Sequence, residues 1–126
     1  MIDALFNQPN YVVAKKALDG IALRHEAIAS NIANLDTPGY KRMDLAPSFR
    51  AELDRACASA NPHQIDGLRP TLAPDPKAVS VGRDGNNVNL EQELVALSEN
   101  SLSHTVESQL ITGTLLRIKL AITSKQ

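Results

Sequence analysis

The chain has few aromatic residues, a single cysteine and no tryptophan. Only two of its 126 residues are phenylalanine and two are tyrosine, which disfavours an aromatic-lined ligand pocket, so we expect no cofactor. Cys57 alone cannot form an intramolecular disulfide. The 13 basic and 14 acidic residues give a net charge of -1, without the basic excess that binding to a phosphate backbone requires. We therefore expect no nucleic-acid partner.

A basic amino-terminal segment is also missing. No lysine or arginine precedes Lys15, and no run approaches the ~20 apolar residues of a membrane-spanning helix. We therefore expect no cleavable signal peptide, which leaves the cytoplasm or export by a route that does not use one.

Residue patterns typical of catalytic and metal sites are absent as well. His25, His63 and His104 lie on separate segments without metal-ligand spacing, and no nucleophile elbow, P-loop or dinucleotide fingerprint occurs. We expect no enzymatic activity, no metal and no small-molecule substrate. Structural or solvated roles are favoured for the histidines, and a buried His25–His104 pair that fixes helix register is the alternative.

Apolar residues recur at alternating spacings of three and four between Tyr11 and Leu35, as in a coiled-coil helix. Pro9 suits the first helical turn, and Pro38 disfavours a helical conformation at the residue before it. The pattern predicts a helix of about 37 Å that ends near Asn34 or Leu35.

A second periodic segment begins at Asn89, a good helix N-cap, and continues to about Ile122. This predicts a helix of about 50 Å, several times longer than a small core needs. The apolar positions are interrupted halfway, where the stripe shifts sideways to Leu102, Val106 and Leu110.

These patterns predict a mainly α protein with two long terminal helices that carry coiled-coil seams. We expect an N-terminal helix over residues 1–35, a turn and extended arm over 36–88 and a C-terminal helix over 89–126, together forming one domain. Five of the seven prolines lie in the arm, where residues 48–58 are compatible with a short helix and 71–81 with a strand or hairpin. The predicted coiled-coil seam contains Leu18, Ile21, Ile28, Ile32, Leu94, Leu97, Leu115 and Ile118.

The end of the first predicted helix is unusual because residues 27–35 carry no charge. Asn31 and Asn34 share one face of it at a spacing of three. Buried amides need partners for their donors and acceptors, which a neighbouring backbone turn or another subunit would supply. The following Thr-Pro-Gly-Tyr sequence, residues 37–40, fits a type II turn with glycine at the position of positive φ.

This segment carries a family resemblance. The run ASNIANLDTPGYKR, residues 29–42, resembles the signature of rod and hook subunits, the axial proteins of the bacterial flagellum. DGNNVNLEQEL, residues 84–94, and SENSLSHTVESQLITGTLLRIKLAI, residues 98–122, are most similar to a proximal-rod subunit. Another short rod subunit is the alternative within the family. The resemblance covers about half the chain, and His104-Thr105 depart from it because relatives often have aromatic residues there.

The resemblance implies that the two terminal helices pair as an antiparallel coiled coil. It also implies a structural subunit that assembles helically into the rod, the drive shaft that transmits motor torque through the periplasm to the hook and filament. Implied partners are further copies of the chain, other rod subunits, the base of the basal body with its MS-ring adaptor, and the flagellar type III export apparatus, which would account for a missing signal peptide. The implied motif and subunit contacts are Ala29, Ser30, Asn31, Ile32, Ala33, Asn34, Thr37, Pro38, Gly39 and Tyr40. Phe49 and Leu53 match a Phe-x-x-x-apolar export-gate motif.

Other interpretations stay open on the sequence alone. Phe49 and Leu53 also fit a short helix that packs on its own protein. A cytoplasmic coiled-coil adaptor would explain the heptads but not the turn chemistry of residues 37–40. A membrane-surface helix is disfavoured because basic residues are not concentrated on one polar face.

Overall fold

The computed structural model describes residues 8–79 and 82–124. The outer ends of the two predicted terminal helical regions, and residues 80–81 of the predicted strand or hairpin, lie outside this range. The elements, in chain order, are α1 (Pro9–Ala33), β1 (Met43–Leu45), α2 (Pro47–Ser59), α3 (Pro62–Asp66), β2 (Leu72–Pro74) and α4 (Leu90–Thr123). The mainly helical class and the two long terminal helices are thereby confirmed.

Both long helices begin and end where local chemistry favours it. Pro9 occupies the first turn of α1, where its missing N–H costs nothing. At the start of α4 the side chain of Asn89 accepts a hydrogen bond from the backbone N–H of Gln92 at 3.2 Å, and Glu91 and Glu93 stand near the positive end of the helix dipole. With 34 residues, α4 is about 51 Å long.

The last turns of α1 lie beside the first turns of α4. Asn31 bonds to Glu93, and Asn100 Nδ2 donates to the backbone carbonyl of Ile21 at 3.0 Å. The most buried residues of α4 are Glu93, Ala96, Asn100 and Ile118. The buried face at the start of α4 therefore lies one position before the predicted Leu94–Leu97 seam, because polar side chains occupy this contact.

The middle segment folds back on the first helix. β1 and β2 pair antiparallel, with Asp44 opposite Ala73, so β2 finds its partner before α2 and not in a hairpin within residues 71–81. The short helix expected over 48–58 is present as α2. Val12 of α1, Ala56 of α2 and Ile65 of α3 form a small apolar core.

The alternative in which two histidines fix the helix register is wrong. His25 and His104 are both exposed, so they do not form a buried pair. In the described residues, Asn31 and Asn100 make the polar cross-links between α1 and α4. None of the described helices combines the length and apolar character needed to cross a membrane.

Candidate functional site

The side chain of Asn31 is fully buried and hydrogen-bonded on all sides. Its Nδ2 donates to the carbonyl of Met43 at 2.8 Å and to Glu93 Oε2 at 3.3 Å. Its Oδ1 accepts from the N–H of Met43 at 3.0 Å and from the Tyr40 hydroxyl at 3.2 Å. The amide thus pairs with the backbone of Met43 as a neighbouring strand would, and it joins α1, β1 and α4.

Asn34 closes the carboxyl end of α1. Its Nδ2 donates to the carbonyl of Ser30 at 2.7 Å, and its Oδ1 accepts from the hydroxyl of Thr37 at 3.0 Å. The N–H of Tyr40 donates to the carbonyl of Thr37 at 3.2 Å, and Gly39 has a φ of 73°. The turn places glycine where a positive φ is required, as the sequence predicts.

The loop before α4 holds this turn from outside. Asn86, which is buried, has its Nδ2 within 2.8 Å of the carbonyls of Asn34 and Thr37 and within 3.1 Å of that of Leu35. Its Oδ1 accepts from the N–H of Val88 at 2.8 Å. One side chain therefore contacts three carbonyls of the turn that follows α1.

Asn87 makes further hydrogen bonds to the chain after the turn, and here the side-chain oxygen is the acceptor. Its Oδ1 accepts from the N–H of Arg42 at 2.6 Å, and its own N–H donates to the carbonyl of Tyr40 at 3.3 Å. The loop carbonyl of Gly85 accepts from the ammonium group of Lys41. We call residues 82–89 the clamp loop, since they fix the turn on several sides.

Beneath the clamp loop, Arg42 lies at the centre of a buried charge cluster. Its Nε donates to Glu93, which is fully buried, and its Nη1 bonds to Asp44 and Asp75, each at 2.9 Å. Arg24 of α1 donates from Nε to Asp44 at 3.0 Å. The cluster ties both strands to both long helices.

The cluster changes the acidity of its members. Burial alone would lower the pKa of Arg42, but hydrogen bonds and charges from Asp44 and Glu93 outweigh it and raise the pKa above its usual value. Burial alone would raise the pKa of Asp44, but hydrogen bonds from Arg42 and the Leu45 backbone, together with Arg24, lower it. Both groups are therefore held in their charged forms at neutral pH.

The other motif residues are arranged around this interior. Ile32, Asn34 and Tyr40 are half-buried. The exposed motif positions are Ala29, Ser30, Ala33, Thr37, Pro38 and Gly39. The motif thus has an inner side that binds its own chain and an outer side of small, uncharged residues.

The predicted seam residues divide in a similar way. Ile28 and Ile118 are buried, and Leu18, Ile21, Ile32 and Leu97 are half-buried. Leu94 and Leu115 are 49% and 40% exposed. In a single chain, therefore, the seam on α4 is only partly covered.

The residues of the predicted export-gate motif lie inside the fold. Phe49 is only 3% exposed and packs on Gly20, where an added Cβ would stand 2.8 Å from Phe49 Cε1. Leu53 is half-buried against the core around Val12. The folded chain hides this motif.

Sequence reasoning missed the roles of Asn86, Arg42 and Glu93. The sequence does carry one indication of these contacts, because asparagines are concentrated at both ends of the arm. The donors and acceptors of one asparagine-rich turn can form hydrogen bonds with those of the other.

Comparisons with known proteins agree with this architecture. Residues 13–41 match the family model described as flagella basal body rod protein. The chain is 30% identical to the flagellar basal body rod protein FlgB of Borrelia hermsii, with 75% of this chain and 81% of that protein covered. It is 29% identical to FlgB of Escherichia coli K12, with 79% and 82% covered, and 24% identical to FlgB of Bacillus subtilis 168, with 86% and 89% covered. The chain belongs to the FlgB family of flagellar basal body rod proteins.

Proposed function

We propose that the chain is a structural subunit of the proximal rod, which assembles helically into the shaft that transmits motor torque to the hook and filament. The observation that carries this proposal is the apolar surface that α4 leaves uncovered. Eleven large apolar side chains are exposed in the described residues, and ten of them belong to α4. So much exposed apolar surface on one helix favours association with other chains.

Within the subunit, α1 and α4 form an antiparallel coiled coil. The contacts of Asn31 with Glu93 and of Asn100 with Ile21 support this pairing. The exposed seam residues Leu94 and Leu115 stay available for a neighbouring subunit. The coiled coil is then completed only in the assembly.

The outer side of the asparagine motif provides a second contact between subunits. Ala29, Ser30 and Ala33 present small side chains to solvent, which lets a neighbouring helix approach closely. Asn31 supports this surface from within, and Asn34 and Tyr40 stand at its edge. The exposed turn residues Thr37, Pro38 and Gly39 belong to the same contact.

The partners are further copies of the chain, other rod subunits, and the adaptor protein at the MS ring. The rod lies in the periplasm, so the chain must leave the cytoplasm, and the flagellar type III export apparatus provides that route. No catalytic step is part of this role.

Export then precedes folding, because Phe49 is buried in the folded chain. Phe49→Ser and Leu53→Ser should each lower the amount of chain exported by roughly tenfold when secretion is measured in a strain that lacks the hook. Ile65→Ser is the matched control, since Ile65 is equally buried in the same region but lies outside the motif. Equal loss in all three variants would assign the effect to folding and contradict a gate motif.

Assembly is tested in a strain that lacks the native gene and is complemented with variants. Leu94→Glu or Leu115→Glu should abolish rods in isolated basal bodies and stop motility, because a charge is placed in the contact between subunits. Gln64→Glu, an exposed change on α3, should leave both unchanged. Normal rods containing the Leu94 and Leu115 variants would refute the assigned contact.

A further inference from the structure

A second apolar face lies on α4, on the side away from its buried residues. It contains Val95, Leu102, Val106, Leu110, Leu116 and Leu120, each between 46% and 66% exposed. At about 100° per residue five of these side chains point more than about 110° away from Asn100 and Ile118, whereas Leu110, about 80° from them, stands at the edge of the face nearest α1. The face is about 37 Å long, and it is distinct from the edge that carries Leu94 and Leu115.

The order of residues along this face is nearly the same when it is read backwards. Val106 and Leu110 are symmetric about position 108. The pair Leu102 and Gly113 and the pair Val95 and Leu120 are both symmetric about the point midway between positions 107 and 108. The separations of 11 and 25 residues bring both members of a pair to the same side of the helix. Two copies of α4 that run in opposite directions would therefore match at these three pairs of positions, whereas Leu116 has no apolar counterpart in this register.

The symmetric pair of Leu102 and Gly113 is complementary in shape. Leu102 is 66% exposed, whereas a Cβ on Gly113 would meet no atom within 4 Å. Beside Gly113 a groove of about 450 Å³ lies between α1 and α4, lined by Val13, Ala14, Leu110, Thr114 and Arg117 among others. Leu102 of a second copy would enter this groove as a knob enters a hole.

The same symmetry relates two opposite charges. Glu99 and Arg117 are both exposed and lie five helical turns apart on one side of α4. Within the described part of the chain neither forms an ion pair. Their midpoint is position 108, so each would face the other residue in an antiparallel partner.

We propose that two copies of the chain pair through this face, with their α4 helices antiparallel, Leu102 of each in the groove beside Gly113 of the other, and Glu99 opposite Arg117 at both ends. The pair is isologous, since the same surface is used twice. Its biological role rests on the proposed function. Subunits of a helical rod share one direction, so an antiparallel pair has to separate before insertion, and pairing withholds this apolar face from premature contacts.

The decisive experiment is a charge exchange followed by sedimentation velocity of the full chain over a range of concentrations. Glu99→Arg and Arg117→Glu should each weaken dimerisation by about tenfold, because both attractive pairs become repulsive, and the double variant should restore it. Lys119→Glu, which changes the same charge elsewhere on α4, should have little effect. Circular dichroism of each variant identifies any loss of the fold.

A cross-linking measurement tests the direction of the helices. In a Cys57→Ser background, Gln109→Cys lies close to the symmetry axis and should form a disulfide dimer with itself, whereas Leu120→Cys, far from the axis, should not. A wild-type chain that stays monomeric at about 100 μM, a double variant that fails to recover, or cross-linking only at position 120 would overturn the proposal.

These outcomes are independent of the test of rod assembly. Dimerisation in solution without rods in complemented cells would contradict the proposed function alone. Rods formed by a chain that never dimerises would contradict the pairing alone.

Discussion

Asn31 shows how one side chain can determine a local structure, because it bonds to Met43, Tyr40 and Glu93 at once. The sequence predicts that both asparagines need partners, which a neighbouring backbone turn or another subunit would supply. It does not reveal that Met43 and Glu93 supply those of Asn31, since Glu93 is 62 positions away and no local pattern reports such a contact.

We expect Asn31→Ala to lower the free energy of unfolding by about 2 to 3 kcal/mol, because a buried carboxylate and a backbone pair lose their partner. Chemical denaturation followed by circular dichroism measures this change. Asn10→Ala, at an exposed position of α1, should change the free energy by less than about 0.5 kcal/mol. Similar values for the two variants would show that the Asn31 bonds contribute little.

The carboxyl group of Asp44 makes the free energy of unfolding depend on pH in the acid range. Since its pKa is lowered in the folded chain, the unfolded chain binds a proton first as pH falls. The stabilisation is fully present above the unfolded pKa of about 3.9 and is lost as pH falls through the folded value.

Asp44→Asn should therefore be less stable than wild type at pH 7, and the difference should shrink below about pH 3. Urea denaturation at several pH values measures the difference. A difference that stays constant down to pH 2 would mean that the charge of Asp44 does not act in this way.

At the scale of elements, the periodic segments were predictable and their contacts were not. Heptad spacing indicated both long helices, and Asn89 marked the start of α4. The spacing did not reveal which face of α4 packs on α1, because Asn31 and Arg42 draw Glu93 inward and shift the buried face by one residue. Nor did it reveal that the arm packs on α1, because Phe49 and Gly20, which are in contact, lie 29 positions apart in the sequence.

Substitution by alanine should have opposite effects on the stability of the fold at the two helical glycines. Gly20→Ala places a Cβ 2.8 Å from Phe49, so we expect a net loss of about 1 to 2 kcal/mol despite better helix propensity. Gly113→Ala faces open space and should gain up to about 1 kcal/mol in the dilute chain. Thermal unfolding of both variants is the measurement, and a stabilising Gly20→Ala would show that Phe49 does not pack there.

The clamp loop offers a second matched pair. Asn86→Asp replaces the donor that faces three carbonyls with an acceptor, so the amides of residues 35–40 should exchange with deuterium at least tenfold faster. Asn87→Asp keeps the oxygen that accepts from Arg42, so exchange there should change little. Hydrogen exchange measured by mass spectrometry compares the two variants. Equal protection of residues 35–40 in both would show that the side chain of Asn86 does not hold the turn in place.

At the scale of the whole molecule, the folded subunit has a polar interior at one end and an uncovered apolar helix at the other. The charge cluster around Arg42 fixes α1, α4 and both strands together. The distal part of α4 exposes Leu102, Val106, Leu110 and Leu116. A chain built in this way gains from assembly, because burial of this surface stabilises it further.

A map of the intact basal body at side-chain resolution would decide whether this chain is a structural subunit of the proximal rod. We predict density for α1 and α4 in the wall of the proximal rod, with Leu94 and Leu115 buried between neighbouring subunits. A fully interpreted rod in which no subunit fits this sequence would contradict the account.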